Sequence, residues 1–329
     1  MRIITNPTDI DPQQWRELSI SSPTSSFFQS HEAFTFFSSN RETNAKVIAV
    51  EEDGNLKGLV VAIILKEQGW IKGHLSSRAI INGGPLLAPN INTHTLIAFL
   101  SSATKILSRG NIYLETRNFN DYSQWMPLFL DAKLDYQPHY NFHIDTDGFE
   151  CRMGKTRQYE IRRAIKEGVT IDTHPSIEDI GHFYTILSLL YRTKIKYPLF
   201  SLSFFEELYR QPFSHFIMVK YRDHVIGGTV CVGLPGQTLY EWYACGDNSK
   251  GKHLFPSTMA TYGAIKYAAT NGHPRFDMMG AGSPGDGGYG VRDFKAQFGG
   301  TLVEHGRFLH VYNRPIYALG KLYIKLRNC

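Results

Sequence analysis

Residues Gly287–Gly306 read GGYGVRDFKAQFGGTLVEHG and set one short charged and aromatic segment, Val291 to Phe298, between glycine-rich flanks. Phe294 and Phe298 are four apart, so one turn of helix places both on the same face. Lys295 then projects beside that face, and the glycines allow tight turns and close backbone approach. A lysine at the mouth of a glycine-lined cleft can stabilise an oxyanion or hold a phosphate. The same residues also suit a short surface helix with a solvated lysine.

Working outward, the order of elements before this stretch occurs twice. In the first half, Val47–Val50 predicts a strand, Asp53-Gly54 a hairpin turn and Gly58–Leu65 a second strand. A strand at Ala79–Ile81 runs into Asn82-Gly83-Gly84-Pro85. Thr93–Ser108 has Leu96, Leu100, Ala103 and Leu107 at helical spacing, and Asn111–Thr116 is the closing strand. In the second half, Phe216–Lys220, Asp223-His224, Gly228–Val232, Thr238–Cys245, a helix from Pro256 to Ala269 and Arg275–Met279 follow the same order. Asp53 and Gly58 match Asp223 and Gly228 at a spacing of 170. Two copies of one α/β unit are therefore expected.

Between the copies, Gly154–Val169 predicts a helix with Ile161, Ala164 and Ile165 inward and Lys155, Arg162, Arg163 and Lys166 on a basic side. A second helix, His182–Tyr191, leads into Arg192-Thr193-Lys194-Ile195-Lys196. The C-terminal stretch Arg314–Arg327 reads as an amphipathic helix with Ile316, Leu319, Leu322, Tyr323 and Leu326 inward.

The 329 residues are 42% hydrophobic and 20% charged, which suits a globular chain of about two domains. No secretory leader is visible at Met1–Trp15, and the apolar run Leu59–Leu65 is too short to span a bilayer. The expectation is a cytoplasmic protein with reduced cysteines. The net charge of +5 is uneven. Up to Asp145 there are 12 basic and 14 acidic residues, a balance of −2, and the remainder has 23 and 16, a balance of +7. An anionic partner facing the second half would fit.

Two motifs fall short of known chemistry. Gly246–His253 nearly forms a phosphate-binding loop between a strand and a helix, but His253 stands where Ser or Thr would hold magnesium. The amides opening the Pro256 helix could still meet an anion. Gly280-Ala281-Gly282-Ser283-Pro284-Gly285 has dinucleotide-fingerprint spacing, and Pro284 blocks the helix that fingerprint must open. The thirteen histidines show no metal-ligand pairing on a helix, so no metal is assigned.

The pattern Gly290-Val291-x-x-Phe294-Lys295-x-x-Phe298-Gly299-Gly300 resembles the late signature of the Fem-type (FemABX) aminoacyltransferases, within the GNAT acyltransferase superfamily. Phe28-Gln29-Ser30, Gly83-Gly84-Pro85-Leu86-Leu87, the helix Lys155–Val169 and Phe276-Asp277-Met278 resemble further family stretches, covering about Phe28 to Phe308. The resemblance implies an α/β (α+β) fold of two tandem GNAT-like domains, each a mixed, mostly antiparallel sheet flanked by helices. The expected boundaries are 1–145, joined by the C-terminal helix 313–329, and 146–312, which carries the acyl-transfer site.

It further implies transfer of an amino acid from aminoacyl-tRNA, as co-substrate, onto an amine of a peptidoglycan precursor, with no bound cofactor, no DNA partner and no transmembrane segment. Charged tRNA, a cell-wall precursor or other amine acceptor, and a peripheral membrane contact are the partners it allows. Lys295 matches the signature lysine and is the expected stabiliser of the transition state. Asp277, Asp286 and Glu241 are candidates for the base. Lys196, Arg192, Arg157, Tyr243, Phe294 and Tyr289 are candidates for substrate contact. Lys196, after Thr193, stands where the family shows arginine, which keeps charge and loses the bidentate fork. Ser38 lies near the place of a lysine in members that take a muramyl nucleotide, and the long helical arm of some members is absent. Two other activities stay open on the same fold: an acyl-CoA-dependent N-acyltransferase and a non-catalytic binding module.

Overall fold

Both copies are organised by a hairpin of the same construction. In the computed structural model, β2 (Ala45–Glu52) pairs antiparallel with β3 (Asn55–Leu65), and the turn residues Asp53 and Gly54 both take positive φ. Positive φ at both central positions is the two-residue turn that suits the right-handed twist of paired strands. β10 (Ser214–Tyr221) and β11 (His224–Val232) repeat this with Arg222 and Asp223 in the turn. Each hairpin also carries a register shift, between Val50 and Glu51 in one and between Val219 and Lys220 in the other. Matching these shifts sets the repeat spacing at 169, so Gly58 corresponds to Gly227 rather than Gly228. The expected 170 is one residue too long, because the second turn is Arg222-Asp223 and His224 already belongs to its strand.

The structure describes residues 1–67, 69, 73, 75–286 and 290–328, excluding the side chains of residues 250 and 323–328. The remaining strands are β1 (Arg2–Ile4), β4 (Arg78–Gly83), β5 (Leu86–Leu87), β6 (Tyr113–Asn118), β7 (Asp135–Gln137), β8 (Tyr140–Asp145), β9 (Val169–Asp172), β12 (Leu239–Gly246), β13 (Arg275–Gly280), β14 (Thr301–Glu304) and β15 (Arg307–Val311). The helices are α1 (Pro12–Ser21), α2 (His31–Ser39), α3 (Thr93–Leu107), α4 (Met126–Asp131), α5 (Phe149–Arg152), α6 (Lys155–Lys166), α7 (Ile177–Leu190), α8 (Leu202–Tyr209), α9 (Pro256–Thr270), α10 (Gly290–Ala296) and α11 (Arg314–Asn328).

The first sheet runs β1-β2-β3-β4-β6-β15-β7, with β5 also on β3; the second, in the matching direction, runs β9-β10-β11-β12-β13-β8-β14. Each has one parallel pair in the middle, β4 with β6 and β12 with β13. Position by position the orders are the same, which is the duplication read from the sequence. The chain divides into Met1–His139 with Glu304–Cys329, and Tyr140–Val303. β8 thus lies in the second sheet and β15 in the first, whereas 1–145 and 146–312 assigned each to the other. Ladder pairing decides this: Phe276, in β13, sits opposite Ile144, and Phe308 sits opposite Thr116 of β6.

In the first unit the core forms on both faces of the sheet. Leu96, Phe99, Leu100 and Leu107 of α3 pack with Ile48, Val60 and Leu114 on one side, and Trp15 and Leu18 of α1 with Val47 and Leu59 on the other. Gln29, fully buried, explains the Phe28-Gln29-Ser30 resemblance as construction. Its amide accepts from Val61 N at 2.7 Å and donates to the carbonyls of Val61 and Asn82 at 3.1 and 2.8 Å. It supplies hydrogen bonds where β3 has left β4 and not yet met β5. β4 and β6 stay paired over all six residues, Arg78–Gly83 with Tyr113–Asn118, so this sheet is closed at its parallel pair.

In the second unit, Ala260, Ala264, Ile265 and Ala268 of α9 cover Ile217, Val219 and Phe276. Its parallel pair differs. β12 and β13 are in register only at Leu239 with Phe276 and Tyr240 with Asp277, and beyond those residues the ladder ends.

Candidate active site

Where β12 and β13 part, β13 contains a bulge. Its register against β8 shifts between Asp277 and Gly280, and Met279 sits at φ 57°, a conformation costly for a residue with a Cβ. Side chains hold the bulge from two sides. Asp277 Oδ1 accepts the amide of Met279 at 2.6 Å, and Lys295 of α10 donates to the carbonyls of Met278 and, at 2.9 Å, Gly280. One turn earlier on α10, Arg292 donates to Ala281 O at 3.1 Å and Ser283 O at 2.8 Å. The signature helix is thus fastened along the end of β13 by two cations and four backbone carbonyls.

Lys295 therefore turns inward. An ammonium has three donors, and these two bonds leave a third among the described residues. Burial pushes its pKa down from the ordinary lysine value, and the nearby carboxylates of Glu241 and Asp277 oppose that shift. Glu241 is buried on β12 and accepts from Thr261 Oγ1 of α9 at 2.8 Å. Burial pushes its carboxyl up, against the pull of Lys295 and Thr261. For each group burial is the largest influence, and the opposite charge nearby only offsets part of it. Asp277, 1% exposed, completes the group and faces His143 of β8, with Oδ2 to Nε2 at 3.2 Å.

His143 went unnoticed in the sequence. Its signal was weak: His143 shares its strand face with Asn141 and Asp145, and the β8–β13 register brings it opposite Asp277.

Arg157 takes a different place from the one expected. Its guanidinium is buried, donates to Glu160 and Thr258 Oγ1, and reaches Phe294 O at 3.2 Å. It lies against both rings of the edge-to-face Phe294–Phe298 pair, at 4.5 and 4.7 Å from their centres. Both residues act as struts: Arg157 pins the Phe294–Phe298 face to α6 and α9, next to Lys295 in sequence. The glycines after Phe298 belong to the same packing. A Cβ on Gly299, which has φ 78°, would overlap Arg152 O, and one on Gly300 would come within 2.7 Å of Ile144 Cγ1.

Asp286 is exposed and accepts from Ser283 N at 2.6 Å, a loop contact that gives it no place beside Lys295. Tyr243 is buried against Tyr191, Phe205 and Trp242. Arg192 is exposed on the π-helical turn Tyr191–Ile195, which Lys196 closes at φ 58°. Tyr289 lies outside the described residues. The start of α9 is less open to an anion than the sequence suggested. Pro256 has no amide to offer, and the backbone of Gly246 lies so close that a Cβ there would overlap the amide nitrogen of Ser257.

The model of the FemAB family matches residues 209–325, a span that includes Glu241, Asp277 and the whole of α10. No curated protein matches the sequence. Among solved structures, FemX superposes with a TM-score of 0.71 at 15% identity, covering 97% of this chain and 99% of FemX. A tandem GNAT protein from the clavulanic acid biosynthesis pathway gives 0.60 at 9% identity, covering 94% and 98%. L-PGS from Bacillus licheniformis gives 0.56 at 13% identity, with 92% of each chain covered. At these identities the superpositions speak for the fold, which is the expected tandem GNAT-like architecture, and the family match bears out the Fem-type resemblance.

Proposed function

We propose that this FemAB-type chain is an N-acyltransferase that moves an aminoacyl group from an ester donor, aminoacyl-tRNA, to an amine of a peptidoglycan precursor. The observation that carries this reading is the half-buried Lys295 of the signature helix, bonded to the carbonyls of Met278 and Gly280, with the buried Glu241 and Asp277 carboxylates near it where β12 and β13 separate, inside the span that matches the family.

In this reading the acceptor amine gives up a proton to Glu241 and attacks the ester carbonyl. A C–N bond forms, and negative charge collects on the carbonyl oxygen. The remaining N–H of Lys295 meets that oxygen, and a fixed cation aimed at the growing charge lowers the barrier. The ester C–O bond then breaks, and the leaving alkoxide recovers the proton from Glu241. Asp277 and His143 keep the bulge and the ammonium in place. An acyl-CoA donor fits less well, because Pro256 and Gly246 leave little of the α9 terminus for a pyrophosphate.

The test is incubation of the protein, and of Lys295→Ala, with charged tRNAs, acyl-CoAs and cell-wall precursors, with products read by mass. Transfer from aminoacyl-tRNA by the native protein, lost on the order of a hundredfold or more in the variant, is expected. Equal turnover by Lys295→Ala, or turnover with acyl-CoA alone, would refute the reading.

A further inference from the structure

The C-terminal helix α11 shows apolar residues on two opposite sides. Tyr317 turns inward and meets the ring of Tyr113 at 5.2 Å, with Ile316 and Gly320 partly covered beside it. Pro315, Ala318, Leu319 and Leu322, at the spacing i, i+3, i+4, i+7, form the other side, and all four are exposed. Leu319 is 66% and Leu322 53% exposed, so the inward assignment of these two leucines is overturned. An amphipathic pattern identifies apolar stripes and leaves open which of two meets the core. Tyr323 and Leu326 lie among the side chains that are not described.

Charge says what the outer stripe would meet. From Tyr312 to Cys329 the sequence has Arg314, Lys321, Lys325 and Arg327 and no acidic residue. Arg314 and Lys321 are exposed on the flank of the leucine stripe. Exposed leucines bordered by lysine and arginine suit the interface of an anionic bilayer, where the leucines enter the acyl boundary and the cations meet phosphate headgroups. A water-facing helix would gain nothing from Leu319 and Leu322. A protein partner would need complementary acidic side chains, and a second copy of this helix would set cation against cation.

We propose that α11 is a membrane-docking helix that lays the Pro315-Ala318-Leu319-Leu322 stripe on the surface of an anionic lipid bilayer. The inference is independent of the transfer reaction and can be tested without it.

The experiment is co-sedimentation of the full chain with vesicles of phosphatidylcholine alone or mixed with phosphatidylglycerol. Binding is expected to the mixed vesicles only and to weaken as salt rises. Leu319→Glu/Leu322→Glu should reduce it on the order of tenfold, and Arg314→Gln/Lys321→Gln by roughly fivefold per cation. Circular dichroism checks that the variants fold; Leu319→Gln/Leu322→Gln replaces the glutamate pair if they do not. No binding to mixed vesicles, equal binding to neutral ones, or unchanged binding by the leucine variants would overturn the proposal. So would concentration-dependent dimerisation that the leucine variants abolish, which would assign the stripe to a second copy.

Discussion

Arg157→Ala tests whether the lysine helix is held from behind. The substitution removes a guanidinium bonded to Glu160, Thr258 and Phe294 O and set against two phenylalanine rings. Breaking a buried ion pair from one side costs about 3–5 kcal/mol. The low end applies, because the Glu160 side chain is 19% exposed and water can reach it. Loss of two ring contacts adds about 1 kcal/mol. Against this, Arg157 Nε is buried without a partner, so its removal relieves roughly 1 kcal/mol of desolvation. The net is about 3 kcal/mol, or roughly 6–12 °C in Tm for a unit the size of Tyr140–Val303. Arg157→Lys keeps the charge without the planar fork and should lose roughly half as much. Thermal unfolding followed by tryptophan fluorescence, with turnover measured on the same samples below the transition, is the assay. A shift under about 1 °C for Arg157→Ala would refute the pin, since the rings would then hold α10 unaided.

Glu241→Gln separates catalysis from stability. As the proposed base, its loss should lower turnover by about 10²–10⁴ and flatten the acid limb of the pH–rate profile. The stability effect runs the other way. The folded-state pKa is raised above the ordinary 4.5, so this group's contribution is fully present below the unfolded value and is lost as pH climbs through the folded one. Thermal midpoints at pH 5 and pH 8 should therefore converge in Glu241→Gln relative to the native protein; an unchanged difference would count against a desolvated carboxyl. Gly299→Ala forces a Cβ onto Arg152 O at a positive-φ position, and a destabilisation of about 2–4 kcal/mol is expected by urea denaturation. A midpoint matching the native protein would show that the Gly299-Gly300 pair is not set by packing.

Local signals carried much of this molecule. Turn residues with hydrophobic runs on either side located β2, β3, β10 and β11, and Leu96 to Leu107 located α3, because turn chemistry and helical period act over a few residues. Lys295 stood out because a charged side chain between glycine-rich flanks asks for an explanation, whereas Glu241 and Asp277 became candidates only through the family resemblance. The part played by Arg157 was hidden, since nothing in the spacing of 157, 294 and 298 announces a guanidinium set against two rings. His143 and the placement of β8 depend on pairing across more than a hundred residues, which no local pattern encodes. The outer stripe of α11 was misread for a different reason. Period 3.6 reports amphipathicity, while burial depends on what the rest of the chain presents to the helix.

The connections Pro138-His139 and His305-Gly306 are each short enough to close a hairpin, yet each joins strands that enter different sheets. Sheet one must therefore wait for β15, which begins 170 residues after β7 ends (307 − 137), to fill the gap between β6 and β7. A nascent chain leaving the ribosome would carry those two strand edges unpaired until the whole of the second sheet had been made, with Phe129 and Tyr136 lacking the ring of Phe308 against which they finally rest. Severed at residue 139, the N-terminal portion should behave as an aggregation-prone fragment, and supplying the missing C-terminal peptide in trans should restore its solubility.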